Sequence, residues 1–225
     1  MWKSSLTKKY VMAVTGLFLT GFLVAHLLGN LQIFMGPEQL NGYAEHLKEL
    51  PLLAWSVRGF LFLSLLVHMI TAVLLAVENK NARPIPYQVQ RTVQATLASR
   101  TLVVTGICVF LFIVYHLLHA TWGVAHPQFF HLTDRQGRHD IYSMMILSFQ
   151  NASISGVYLL ALFILSMHVG HGSSSFLQSL GLLQAGTEKK MRMAGHGFGW
   201  LLFLGYSSIP VSVLLGWLRP LQGGG

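Results

Sequence analysis

Residues 10–35 read YVMAVTGLFLTGFLVAHLLGNLQIFM, and how this run is understood decides the fold. Lys3, Lys8 and Lys9 precede it, as a charged segment precedes the apolar core of a secretory signal. From Tyr10 to Met35, however, the run is longer than a signal core of roughly 7–15 residues, and no small-x-small cleavage site closes it. It reads as a retained transmembrane helix with one ionisable residue, His26, inside it.

Working outward, the same texture recurs. Of 225 residues, 53% are hydrophobic and 10% charged, against about 25% charged in an ordinary soluble domain. Further runs of about 20 apolar residues follow, each able to cross a hydrocarbon core of roughly 30 Å. With such hydropathy only helices satisfy every backbone polar group in lipid. The expected fold is an all-α integral membrane bundle, a single domain over 1–225. Its five helices are expected at about 10–34, 52–77, 101–124, 143–175 and 195–218. Pro37 and Pro51 bracket the first outer loop, and Asn151, Ser153 and Ser155 dilute the start of the fourth span. Pro210 lies inside the last span, where it should kink the helix. Cys108 has no partner for an internal disulfide.

The net charge of +8 does not point to nucleic acid, because the positive residues lie between the apolar runs. The N-terminus and the 78–100 and 176–194 loops carry Lys3, Lys8, Lys9, Lys80, Arg83, Arg91, Arg100, Lys189, Lys190 and Arg192. The other side has Lys48, Arg58, Arg135, Arg138 and Arg219. The bias puts the N-terminus in the cytoplasm and the C-terminus outside, in a multi-pass protein of the cytoplasmic membrane.

An ionisable residue in mid-membrane is costly, so it points to function. Here the first four spans hold one such candidate each: His26, His68, His116 and His168. His26 follows Thr15-Gly16, and His116 follows Thr105-Gly106, at the same spacing; Leu-Leu continues both. At 1.5 Å per residue, His26 lies about 25 Å beyond Lys9 and His116 about 24 Å beyond Arg100. His68 lies roughly 15 Å before Glu78 on an oppositely directed helix, and His168 is expected at a similar level. Two pairs at two depths suit two stacked haems, each with a pair of neutral imidazoles as axial ligands. Zinc would want one tight cluster instead. Without Cys-x-x-Cys-His, such haems are held non-covalently. Gly16, Gly106 and Gly170 either make room for a flat macrocycle or simply bring helices close. His119 and His171 stand one turn from His116 and His168 as rival ligands or propionate contacts; only the Thr-Gly spacing favours His116 over His119. His126, His131 and His139 are expected to be solvated in the long outer loop, and His46 lies in the first outer loop.

The ordered set of motifs resembles the cytochrome b membrane-anchor subunit of succinate:quinone oxidoreductases, in the five-helix, two-haem group of succinate dehydrogenases and fumarate reductases. The resemblance spans nearly the whole chain. It is carried by Leu17-Phe18-Leu19 leading to His26-Leu27-Leu28-Gly29-Asn30, and by the His68 helix ending Glu78-Asn79-Lys80. Ala98-Ser99-Arg100-Thr101 through Thr105-Gly106 to His116-Leu117-Leu118 continues it, and His168-Val169-Gly170-His171-Gly172 ends it. The resemblance implies two haem b, with axial pairs His68/His168 on the cytoplasmic side and His26/His116 on the outer side. It implies a flavoprotein subunit that oxidises succinate and an iron–sulfur subunit that hands electrons to this chain. A membrane quinone, usually menaquinone in this group, receives them. The expected partners are thus those two subunits, membrane lipid, quinone and, in a higher oligomer, further copies of the complex; the succinate site is not on this chain. Arg100 is singled out for a propionate or docking role. Quinone candidates are Asn30, Gln32, Tyr43 and His46 on the outer side, and Tyr10, Ser173, Gln178 and His196 on the cytoplasmic side. The rival readings are the cytochrome b anchor of another dehydrogenase, such as formate dehydrogenase or hydrogenase, and a transporter with a histidine proton relay. The transporter predicts acidic partners inside the spans, and none is present.

Overall fold

The computed structural model describes residues 4–81, 97–179 and 186–220. Among these, five helices are long and apolar enough to cross a membrane. They are α1 (Ser5–Leu31, extended by a 3-10 turn to Met35), α3 (Pro51–Asn81), α4 (Leu97–His116), α7 (Ala152–Ser179) and α8 (Glu188–Leu214). The chain is an all-α, multi-pass membrane bundle. Three shorter helices sit at one end: α2 (Pro37–Lys48), α5 (Pro127–Phe130) and α6 (Ile141–Gln150). The one β-type pairing among the described residues is the isolated bridge Thr133–His139.

The expected fourth span divides in two, and Asn151 is the reason. It takes an extended ψ of 114° that ends α6. Its side-chain Oδ1 then accepts from the backbone N–H of Ser153 at 3.0 Å and of Ile154 at 3.3 Å. The polar residues that thin the hydropathy there are a helix cap, which satisfies donors the first turn of α7 would otherwise leave open. The last span starts earlier than its hydropathy suggests, at Glu188, and runs through the buried Pro210 without interruption.

The centre of the bundle is α7 against α8. A Cβ on Gly199 would lie 2.4 Å from the Ser166 carbonyl, and one on Gly195 would lie 2.6 Å from the Gly170 carbonyl. Only glycine lets these backbones approach so closely, the usual device of membrane bundles. Around this axis α1 pairs with α3 and α4 with α7, whereas α1 with α4 and α3 with α7 make at most marginal contact. At one end Lys8 of α1, 3% exposed, forms an ion pair with Glu78 of α3.

The opposite end carries a cap that the hydropathy does not reveal. Asn41 of α2 is buried; its Nδ2 donates to Asp140 Oδ1 at 2.9 Å, and its Oδ1 accepts from the Tyr142 N–H at 3.0 Å. Asp140 also caps α6 by accepting from the Ser143 N–H at 3.0 Å. Arg138 joins Asp134 at 2.7 Å to Glu38 at 3.0 Å. Burial works to raise the Asp134 carboxyl, but hydrogen bonds from Arg138 and the Gln136 N–H hold it below its usual range. Beneath this polar layer Ile33, Leu40, Ile146, Phe149 and Tyr158 form an apolar core with Ile209 and Val213 of α8.

Candidate cofactor site

The Thr-Gly dipeptides of α1 and α4 have a partner that their spacing to His26 and His116 does not suggest. Thr15 Oγ1 lies 3.2 Å from His68 Nδ1, and Thr105 Oγ1 lies 3.1 Å from His168 Nδ1. Each threonine donates its own proton to a backbone carbonyl of its helix, Val11 at 2.8 Å and Leu102 at 3.0 Å. With the hydroxyls donating in this way, each oxygen accepts from Nδ1–H, the tautomer that leaves a lone pair on Nε2. The glycine beside each threonine completes the seat: a Cβ on Gly16 or Gly106 would come within 3.3 Å of the Cε1 of His68 or His168. The two helix pairs solve one problem twice.

Along both α1 and α4 the next histidine comes eleven residues after the threonine, about 16 Å nearer the capped end. There His26 and His116 face each other with ring centroids 5.9 Å apart and planes at 79°. Phe22 stacks on His26 at 5.3 Å, and Tyr206 stands 6.2 Å away on its other side. Tyr206 is itself fixed by donating to the Leu23 carbonyl at 2.7 Å. His116 Nδ1 meets the Tyr158 hydroxyl at 3.2 Å.

The rival His119 is committed elsewhere. It is buried, with Nδ1 2.8 Å from Tyr158 Oη and Nε2 3.0 Å from Ser148 Oγ. The backbone widens to a π-turn from Leu117 to Thr121, with the Trp122 N–H donating to the Leu117 carbonyl at 2.9 Å. Such turns recur at functional sites. His171 sits on α7 with Nδ1 buried and unpartnered and Nε2 3.5 Å from Ser175 Oγ.

The outer-loop histidines do not share one environment. His126 is half-buried, with Nε2 3.1 Å from Tyr115 Oη and its ring 5.0 Å from that of His119. It was expected in solvent, and the fold of 117–130 over the bundle end withdraws it. His139 is also half-buried; burial lowers its pKa, with Lys48 assisting. His131 is exposed, and His46 is exposed beside Glu49 at 3.4 Å.

Of the quinone candidates, Asn30 donates to the His26 carbonyl at 2.7 Å, Gln32 accepts from Gln39 at 3.1 Å, and Tyr43 packs against Gly29. Ser173 donates to the Val169 carbonyl at 2.7 Å, His196 packs on Gly170, and Tyr10 is exposed. The side chains of Arg100 and Gln178, and all of Arg83 and Arg91, lie outside the described residues.

Among the described residues no group of three or more His, Cys, Asp or Glu is placed to hold a metal ion. The donor sets on offer are imidazole pairs. Two imidazoles bonded to one metal from opposite sides, at about 2 Å per bond, lie about 6 Å apart between centroids. The His26–His116 separation of 5.9 Å matches that span. All four imidazoles are half-buried, on α1, α3, α4 and α7, and those of His26 and His116 are in ring contact. Tyr158, Ser148 and Tyr206 support this arrangement and escaped sequence reasoning, since nothing in their local strings separates them from ordinary span residues. No family model, curated protein or solved structure matches the chain.

Proposed function

We propose that this chain is a dihaem cytochrome b, the membrane-anchor and electron-transfer subunit of a succinate:quinone oxidoreductase. His68 with His168 would hold one haem iron, and His26 with His116 the other. The observation that carries the reading is the duplicated Thr–His seat, Thr15 to His68 and Thr105 to His168. A ligand histidine whose second nitrogen is held by an acceptor is oriented and made more basic, the usual support of a metal-bound imidazole. When bound, a bis-imidazole haem supplies one-electron transfer at a saturated iron rather than oxygen chemistry.

What the chain's own residues do follows from their placement. The threonines and Tyr158 fix ring orientation. Phe22, Tyr206 and the apolar faces of α1 and α4 keep the sites dry. Two levels about 16 Å apart along α1 give a path from one face of the membrane toward the other. The excess of Lys and Arg places the Lys8 end in the cytoplasm and the cap outside, in the cytoplasmic membrane. In this reading the Lys8 end meets an iron–sulfur subunit, itself joined to a flavoprotein, and a membrane quinone, menaquinone by the family resemblance, exchanges electrons with the chain.

The test is optical and quantitative. The full chain purified from membranes and reduced with dithionite should show a low-spin b-type spectrum with about two haems per polypeptide. His116→Ala should remove one haem and spare the other. A folded chain without a haem spectrum would refute the dihaem reading. A covalent-flavin polypeptide that co-purifies supports the succinate assignment; a formate- or hydrogen-oxidising partner would replace it.

A further inference from the structure

One phenol stands between two histidines near the capped end. Tyr158 Oη is 2.8 Å from His119 Nδ1 and 3.2 Å from His116 Nδ1. Tyr158 is buried, with Phe112 and Phe149 edge-on to its ring at 5.1 and 5.0 Å. A phenol has one proton, so it donates to one imidazole and accepts from the other.

The dihaem reading sets the order, because a His116 that binds iron through Nε2 carries its proton on Nδ1. Bonds donated by O–H are characteristically shorter than those donated by N–H. On that order the 2.8 Å contact is O–H to His119 and the 3.2 Å contact N–H from His116, and the two lengths agree with it. The latter length agrees with the 3.2 and 3.1 Å bonds that His68 and His168 donate to their threonines. His119, accepting on Nδ1, carries its proton on Nε2 and donates it to the buried Ser148 Oγ at 3.0 Å.

We propose that Tyr158 is a positioning residue that decides which of two adjacent histidines is available as a ligand, ordering a chain from His116 through Tyr158 and His119 to Ser148. The inference rests on the dihaem reading and deepens it. His116 keeps its Nε2 lone pair toward His26, whereas His119 spends both nitrogens on the protein. The same bond makes His116 a stronger electron donor, which favours the oxidised iron it would bind.

Tyr158→Phe removes the acceptor for His116 and the donor for His119 while keeping the ring. In the full chain purified from membranes, the haem at the His26/His116 level should then rise in midpoint potential. A tenfold loss of preference for the oxidised state corresponds to about 59 mV for a one-electron couple, and a change of that order is expected. Its low-spin electron paramagnetic resonance signal should also shift, and the haem at the His68/His168 level should keep both its potential and its signal. His119→Gln should retain two haems. If Tyr158→Phe does not assemble, Ser148→Ala tests the chain from its far end, with a smaller rise at the same level. Two haems with unmoved potentials in the available variant overturn the inference, as does loss of a haem in His119→Gln. A wild-type chain without haem overturns the functional reading itself, a distinct result.

Discussion

Replacing Thr15 by Val keeps the shape of the side chain and removes the hydroxyl that lies 3.2 Å from His68 Nδ1. A half-buried donor left without that acceptor costs about 1–3 kcal/mol. A hydrogen bond between His68 and the Met12 backbone offsets part of this, so the lower half of the range is expected. At 1.4 kcal/mol per factor of ten, haem at the His68/His168 level should be held roughly five- to twenty-five-fold more weakly. Thr105→Val should do the same through His168, and because both histidines would hold one iron the double variant should be weaker than either single one without the costs simply adding. Competition with apomyoglobin for haem measures this: one of two haems leaves faster in each variant, and faster again in the double. Thr15→Ser keeps the hydroxyl and should behave as wild type. If Thr15→Val releases both haems at wild-type rates, or loosens the His26/His116 haem alone, the seat described for His68 is wrong.

Three further outcomes follow from other parts of the molecule. Gly199→Ala puts a methyl 2.4 Å from the Ser166 carbonyl, where ordinary contact begins at 3.4 Å. Parting α7 from α8 to admit it should cost about 1–3 kcal/mol, seen as a lower Tm in detergent, whereas Gly197→Ala, which meets nothing within 4 Å, should be tolerated. The 79° between the His26 and His116 planes should leave the iron orbitals along the two rings nearly equal in energy. The corresponding haem should therefore show a strongly anisotropic low-spin resonance; a signal typical of parallel imidazoles would contradict the geometry. Acidification should loosen the cap in two stages. The depressed His139 pKa means that its contribution fades as pH falls below its ordinary value of 6.5, where the unfolded chain takes up the proton first. The depressed Asp134 carboxyl adds stability above the ordinary aspartate value of 3.8 that is lost only in stronger acid. Hydrogen exchange at residues 131–144 reads both stages; a cap that tightens on acidification would refute the sign.

The sequence alone determined that the protein is an all-α membrane bundle with five spans, and it singled out the histidines that are costly in lipid. These are single-residue properties: transfer to lipid is a sum over side chains, and an imidazole in an apolar run is conspicuous wherever its helix points. Even the repeated Thr-Gly was legible, but as a ruler along α1 and α4 toward His26 and His116. Only the tertiary structure turned it sideways, because a hydroxyl finds its partner across a helix crossing: Thr15 meets His68, 53 residues away, and Thr105 meets His168, 63 away. The division of the fourth span at Asn151 and the cap of α2 and α6 were hidden similarly, since caps and buried polar bonds depend on pairs. The choice between His116 and His119 shows the same limit. Three residues apart, their local strings offer little to separate them, and what distinguishes them is one phenol proton on Tyr158, brought by α7 from 42 residues beyond His116.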